Sequence, residues 1–220
     1  MLGIVTGLQL EKQICLKAYK AIAKNRPLII CAAGTVEGAK RAAKDLIEQG
    51  ANHLVSFGLC GGLAPDIETG DLIMPKAVMM EGETLSLDGD WFEKISSDLP
   101  YAKTGKLISV NEAVTSPQAK ALLHEQSGAM AVDVESFAVM QAAKAHNLPS
   151  LILRAVLDPS HQTLPEAALR GVNANGETQI WPVIKALIRH PQDLPDLIRL
   201  SGQNKRACET LSETIKKSRL

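Results

Sequence analysis

The chain carries no excess of either charge: Lys and Arg number 24, Asp and Glu also 24, for a formal net charge of +0 over 220 residues. A protein that grips nucleic acid normally shows a basic balance, so that partner class finds no support. The four cysteines, at 15, 31, 60 and 208, include no CxxC pair. Three of them stand in apolar surroundings, which reads as a reduced chain with core thiols. The histidines at 53, 124, 146, 161 and 190 are scattered without ligand spacing, so no metal site is expected. No apolar run reaches the roughly 18 to 20 residues that a membrane span needs. The opening Met1-Leu2-Gly3-Ile4-Val5 has no basic leader and soon meets polar Gln9 and Glu11, so no secretory signal is expected. A soluble, cytoplasmic protein is the expectation.

What is present is alternation. An apolar fraction of 45% and 16 glycines fit an ordinary globule, and this length buries one large core. Short apolar runs at 2–6, 27–32, 53–57, 72–80, 105–111 and 150–157 read as strands, with 131–134 as an edge of the sheet. Between them, 11–24, 36–49, 116–127 and 135–146 read as helices, the third with Ser116 as N-cap and Pro117 at its first position. This rhythm indicates an α/β protein with a largely parallel sheet. No repeat or linker is visible, so residues 1–220 are expected to form one domain. Beyond Pro159 the chain turns polar. Short helices broken by prolines are expected at 181–190 and 195–200, before a charged helix from 203 to 217. Trp181, Val183, Ile184, Leu187 and Ile188 cover more than one helical face, as core or as a greasy surface.

Two segments place carboxylates among residues that ought to be buried: Ala131-Val132-Asp133-Val134-Glu135 and Leu151-Ile152-Leu153-Arg154-Ala155-Val156-Leu157-Asp158. A buried carboxylate must be paired, hydrogen-bonded or protonated, and each state is chemically useful. Arg154, inside an apolar strand, likewise demands a partner. Phe57-Gly58-Leu59-Cys60-Gly61-Gly62-Leu63 follows a strand and reads as a turn whose glycines let a ligand approach the backbone. It has neither the spacing of a dinucleotide fingerprint nor the lysine of a nucleoside-triphosphate loop. Asp71, in Gly70-Asp71-Leu72, reads as structural.

The segment 58–63, Thr69-Gly70-Asp71-Leu72-Ile73, Val132-Asp133-Val134-Glu135 and Arg154-Ala155-Val156-Leu157-Asp158 together resemble the nucleoside phosphorylase and methylthioadenosine/adenosylhomocysteine nucleosidase superfamily. They occur in family order and at family spacing over residues 1–158. The resemblance implies a three-layer α/β/α fold with a central, mostly parallel mixed sheet. The tail, through Leu164-Pro165-Glu166-Ala167-Ala168-Leu169, Leu187-Ile188-Arg189-His190-Pro191 and Leu194-Pro195-Asp196-Leu197-Ile198-Arg199-Leu200, is similar to the narrower hopanoid-associated phosphorylases. Residues 160–220 would then be a subgroup-specific helical tail, and the substrate adenosylhopane. A greasy mouth at 164–200 would also imply peripheral contact with the inner membrane.

Carried over by the resemblance, Asp158 is the acid that faces purine N7, where a proton or strong hydrogen bond drains charge from a poor leaving group. Glu135 binds the ribose hydroxyls, with Val134 where relatives usually carry methionine. Glu11 matches the acid that activates water in the nucleosidase branch, and Arg154 an arginine near the nucleophile. Asp133, Gly58, Leu59 and Gly61 join these as substrate-binding positions, while Phe137 is better read as core. A homodimer or larger oligomer is implied.

Cofactors are not expected, but inorganic phosphate is a co-substrate if the enzyme is a phosphorylase. Bacterial hexameric phosphorylases carry an arginine and a serine where this chain has Ser56 and Leu59, and an early Gly-Asp-Pro-x-Arg where it has Gly7-Leu8-Gln9-Leu10-Glu11. Those departures favour water, whereas Leu59 counts the other way, since nucleosidases usually place a serine there. Arg41 is a candidate for an anion site and His161 for the lining of the pocket, although a surface position suits Arg41 better. Methylthioadenosine or adenosylhomocysteine is the alternative substrate. A nucleoside-binding module without turnover is the rival outside enzymology.

Overall fold

Ile4, Val5, Leu54, Val55, Leu151 and Ile152 are each at most 1% exposed, and their strands form the middle of one mixed sheet. The computed structural model describes residues 1–22, 26–165, 168, 175–177, 194–218 and 220. In chain order the described elements are β1 (Leu2–Thr6), α1 (Gln9–Ile22), β2 (Leu28–Cys31), α2 (Val36–Glu48), β3 (His53–Gly62), β4 (Leu72–Ile73) and β5 (Ala77–Met80). They continue with β6 (Glu83–Ser86), α3 (Asp90–Asp98), β7 (Lys106–Ser109), α4 (Pro117–Ser127), β8 (Ala131–Asp133), α5 (Ser136–Ala145), β9 (Ser150–Asp158) and α6 (Leu194–Ser218). The strand order is β2-β1-β3-β8-β7-β5-β6, with β9 paired to β3 and β4. Helices α2 and α5 pack together on one face, and α1 packs with α6 on the other. That is the α/β architecture expected, with helices flanking a mixed sheet.

Local chemistry explains the elements. On α2, Ala39, Ala42, Ala43 and Leu46 recur at helical spacing and are all buried, while Thr35 caps its start by accepting from the Gly38 N–H at 3.0 Å. Ser116 accepts from the Ala119 N–H at 3.2 Å and Pro117 opens α4, which ends at Gly128 in the left-handed region (φ 63°).

The long strand β3 organises the site. It runs parallel to β1 over 53–57 and to β9 from Leu54 to Gly61. Past the end of β1, the freed edge is taken by β8, antiparallel at Gly61 and Gly62. The expected turn at 58–63 is therefore strand as far as Gly62. The glycines signal close approach rather than reversal: a Cβ at Gly62 would stand 3.2 Å from Ile67 Cγ2.

Three other expectations are corrected, and two elements are added. The run 72–80 is two strands, because Pro75 interrupts it: Leu72–Ile73 pairs with β9, and Ala77–Met80 pairs with β6 and β7. Strand β8 is interior, between β3 and β7. Hairpin strand β6 and helix α3 were not anticipated. The helices expected at 195–200 and 203–217 are one helix, Leu194–Ser218, because Pro195 lies in its first turn, where a missing N–H breaks no intrahelical bond. The helix expected at 181–190 lies outside the described residues.

Candidate active site

At the carboxyl ends of β1, β3 and β9 the sheet opens into a cavity of about 690 Å³. Its lining includes Glu11 from α1, Leu59, Cys60 and Gly61 from β3, Val132 to Glu135 around the start of α5, and Arg154 and Asp158 from β9. Such a crevice beyond the strand ends is where open α/β sheets collect ligands.

Glu11 lies in the first turn of α1, 2% exposed. Its Oε2 accepts from the Leu8 N–H and its Oε1 from the Leu59 N–H, both at 2.8 Å. The first bond is the return half of a capping box, three residues back to the helix start. Burial raises its pKa, opposed by Arg154 and by the backbone N–H groups of Leu8 and Leu59.

Arg154 is 1% exposed and sits at the centre. Its Nη2 lies 2.8 Å from Asp133 Oδ2 and 3.2 Å from Glu135 Oε2, and also donates to Ser56 Oγ at 2.8 Å. Nε donates to Ser136 Oγ at 3.2 Å, and Nη1 to the Leu59 carbonyl at 3.3 Å. Burial works to lower its pKa, but the carboxylates of Asp133, Glu135 and Glu11 outweigh burial and hold it above the usual arginine value. The guanidinium has room because its strand neighbour is glycine: a Cβ at Gly58 would stand 2.6 Å from Arg154 Nη1 and from Glu11 Oε1.

Glu135 is pushed up to about 7 by burial, with Asp133 and Glu11 adding to the shift and Arg154 opposing it. Asp133, expected among the substrate-binding positions, has its carboxylate engaged by protein groups. Its carboxylate accepts from Ser109 Oγ at 2.6 Å, from the Ser136 N–H at 3.2 Å and from the Ser136 hydroxyl, besides pairing with Arg154. It fastens the start of α5 and leaves its side chain 1% exposed.

Asp158 closes β9, 4% exposed, with burial raising its pKa and Lys120 opposing. The Lys120 ammonium, on α4, lies 2.5 Å from Asp158 Oδ2. The sequence reading missed this residue: a lysine between alanines on a short helix looks like a solvent-facing one.

Glu11, Leu59, Gly61, Asp133, Val134, Glu135, Arg154 and Asp158 thus all line one cavity, whereas Gly58 stands behind it against Glu11 and Arg154. Phe137 is core, 5% exposed. Arg41 and His161 are exposed and line no part of it. Helix α6 adds Leu197 and Leu200, from the run expected to form a greasy mouth, and Ser201 and Asn204, which were not singled out from the sequence. Among the described residues, His, Cys, Asp and Glu side chains form no cluster arranged to hold a metal ion.

The profile of the Phosphorylase superfamily matches residues 11–189, most of the chain. The chain belongs to this superfamily, and so to its enzymes. A futalosine hydrolase of Streptomyces coelicolor is 28% identical over 125 residues, 48% of this chain and 53% of that protein, so the match spans about half the relative's length. Among solved structures, a 5′-methylthioadenosine/S-adenosylhomocysteine nucleosidase from Neisseria meningitidis superposes with a TM-score of 0.75 at 14% identity, covering 99% of this chain and 97% of that one. A futalosine hydrolase of Helicobacter pylori gives 0.72 at 13%, covering 99% and 96%. These two likenesses are of fold.

The narrower resemblance to hopanoid-associated phosphorylases is overturned, since the relatives found are nucleosidases and futalosine hydrolases. Much of the motif behind it, at 166–167, 169 and 187–191, lies outside the described residues. The part at 194–200 opens α6, whose Leu197 and Leu200 line the cavity. Any helix walling an apolar pocket needs leucines at such spacing, so they do not mark a polycyclic substrate. No helix among the described residues is long and apolar enough to cross a membrane.

Proposed function

We propose that the protein hydrolyses the N-glycosidic bond of a 5′-substituted adenosine and releases adenine. The observation that carries this reading is the state of Arg154. Its donors are directed at Asp133, Glu135, Ser56, Ser136 and the Leu59 carbonyl. Phosphorolysis needs a preorganised anion site, and here the guanidinium is turned to protein acceptors with two carboxylates beside it. Those carboxylates and Glu11 would repel phosphate, whereas Glu11, held by two backbone N–H groups, suits a base that takes a proton from water.

In this reading Asp158 gives a proton or strong hydrogen bond to purine N7, and Glu135 accepts from the ribose hydroxyls. The apolar wall formed by Leu8, Val110, Val114, Leu164, Leu197 and Leu200 suits an uncharged 5′ substituent. A methylthio group is the simplest choice. Futalosine, whose base is not adenine, is the substrate to try beside methylthioadenosine, read out by release of its own base, because the relative from Streptomyces coelicolor is a futalosine hydrolase.

The test is adenine release from methylthioadenosine and adenosylhomocysteine, with and without inorganic phosphate, and the sugar product weighed by mass spectrometry. Phosphate-independent release of a free sugar is expected. A ribosyl 1-phosphate would overturn the choice of water, and tight adenine binding without turnover of any adenosyl compound would leave a binding module.

A further inference from the structure

Lys120 is 0% exposed, although α4 is a short helix and lysine is almost never fully buried unless paired. Its ammonium lies 2.5 Å from Asp158 Oδ2, 2.9 Å from the Pro159 carbonyl and 3.0 Å from the Gln162 carbonyl, with the Asp158 carbonyl at 3.4 Å. The three short contacts match the three protons of an ammonium. One side chain therefore ties α4 to the end of β9 and to the loop that follows, behind the acid at the cavity wall. The titratable groups that bear on Asp158 are Lys120 from α4 and the Cys60 thiol from β3, itself held protonated by burial.

We propose that Lys120 is the positioning residue of Asp158: it holds the carboxyl at the cavity wall and is the counter-ion of the carboxylate formed when Asp158 protonates the leaving base. This inference takes the role of Asp158 from the hydrolase reading above. The balance of the step is simple. The C1′–N9 electron pair passes into the purine, N7 takes the proton of Asp158, water bonds to C1′, and the proton it loses goes to Glu11. A proton returned from Glu11 to Asp158 through solvent completes the cycle. Burial alone would make Asp158 reluctant to give up its proton, because the carboxylate left behind would be desolvated. A fixed ammonium at hydrogen-bond distance stabilises that charge as it develops, with no reorganisation needed.

The test compares wild type with Lys120→Met and Lys120→Arg. In Lys120→Met, kcat for adenine release is expected to fall about 10²-fold with little change in KM. The alkaline limb of kcat/KM is expected to move up by about 1 to 3 pH units, since an opposing charge no longer lowers the pKa of Asp158. Lys120→Arg should return the limb toward its wild-type position. A limb that stays put while thermal stability alone drops would overturn the proposal. A carboxyl ¹³C titration of Asp158 gives a second readout that needs no turnover, and Lys120→Gln replaces Lys120→Met if the latter does not fold. An unmoved Asp158 midpoint in either variant overturns the proposal. If the wild type cleaves no adenosyl nucleoside but the midpoint moves, the hydrolase reading fails and the coupling of Lys120 to Asp158 stands.

Discussion

The backbone N–H of Leu59 donates to Glu11 Oε1 at 2.8 Å. The Leu59 contact with Glu11 is made by the backbone and does not depend on the side chain. The main chain of β3 orients the acid, and the adjacent Gly58 leaves the space in which Glu11 and Arg154 lie. Glu11→Gln should therefore fold, because an amide oxygen still accepts one of the two N–H bonds. It cannot take a proton from water, so kcat should fall by about 10² to 10⁴. Steady-state adenine release beside a urea titration checks both halves. Activity near wild type would remove Glu11 from the mechanism.

Arg154 is the counter-ion of a buried acidic group. Arg154→Met keeps most of the volume and strands Asp133 and Glu135 without a cation, which should destabilise the fold by about 3 to 5 kcal/mol. Urea unfolding monitored by circular dichroism measures this, and a loss below about 1 kcal/mol, a surface-pair value, would contradict the network described.

Stability should fall as pH rises toward neutrality. Glu135 has a folded pKa of about 7 against an ordinary 4.5, so between those values the folded state holds a proton that the unfolded chain has lost. Its contribution is complete below pH 4.5 and is lost as pH rises through about 7. Glu11 and Asp158 are raised as well and act with the same sign. Urea midpoints between about pH 5 and about pH 8 should decrease, and Glu135→Gln should flatten that slope. In the proposed hydrolase reading the same ionisation restores the carboxylate assigned to the ribose hydroxyls, so kcat/KM should rise through this range while stability falls.

Two glycine-to-alanine changes should have opposite effects. At Gly58 the new methyl would stand 2.6 Å from Arg154 Nη1, Glu11 Cδ and Glu11 Oε1, so a loss of about 1 to 3 kcal/mol and of most activity is expected. At Gly202, inside α6, a Cβ meets nothing within 4 Å. There alanine should stabilise by about 0.5 to 1 kcal/mol. Thermal melts of the two variants side by side decide the matter.

By itself, the sequence determined the strand–helix rhythm and pointed to five charged groups that line the cavity, Glu11, Asp133, Glu135, Arg154 and Asp158. Glu135, Arg154 and Asp158 stand in or beside apolar runs that must be buried, and burial of a charge demands a reason that local pattern already exposes. Glu11 was legible only through family spacing, since one acid near a helix start looks like any other. Tertiary structure alone decided the rest. Whether Gly58 turns the chain or admits a guanidinium depends on which strand lies beside it, and that strand is almost a hundred residues away in the chain, at Arg154. Asp133 is occupied by Ser109, Ser136 and Arg154, an arrangement made only when β7, β8 and β9 meet in one sheet. Lys120 is the extreme case. Nothing in Ala119-Lys120-Ala121 separates it from a solvated lysine; what buries it is the chain returning as Asp158, Pro159 and Gln162 to supply its acceptors.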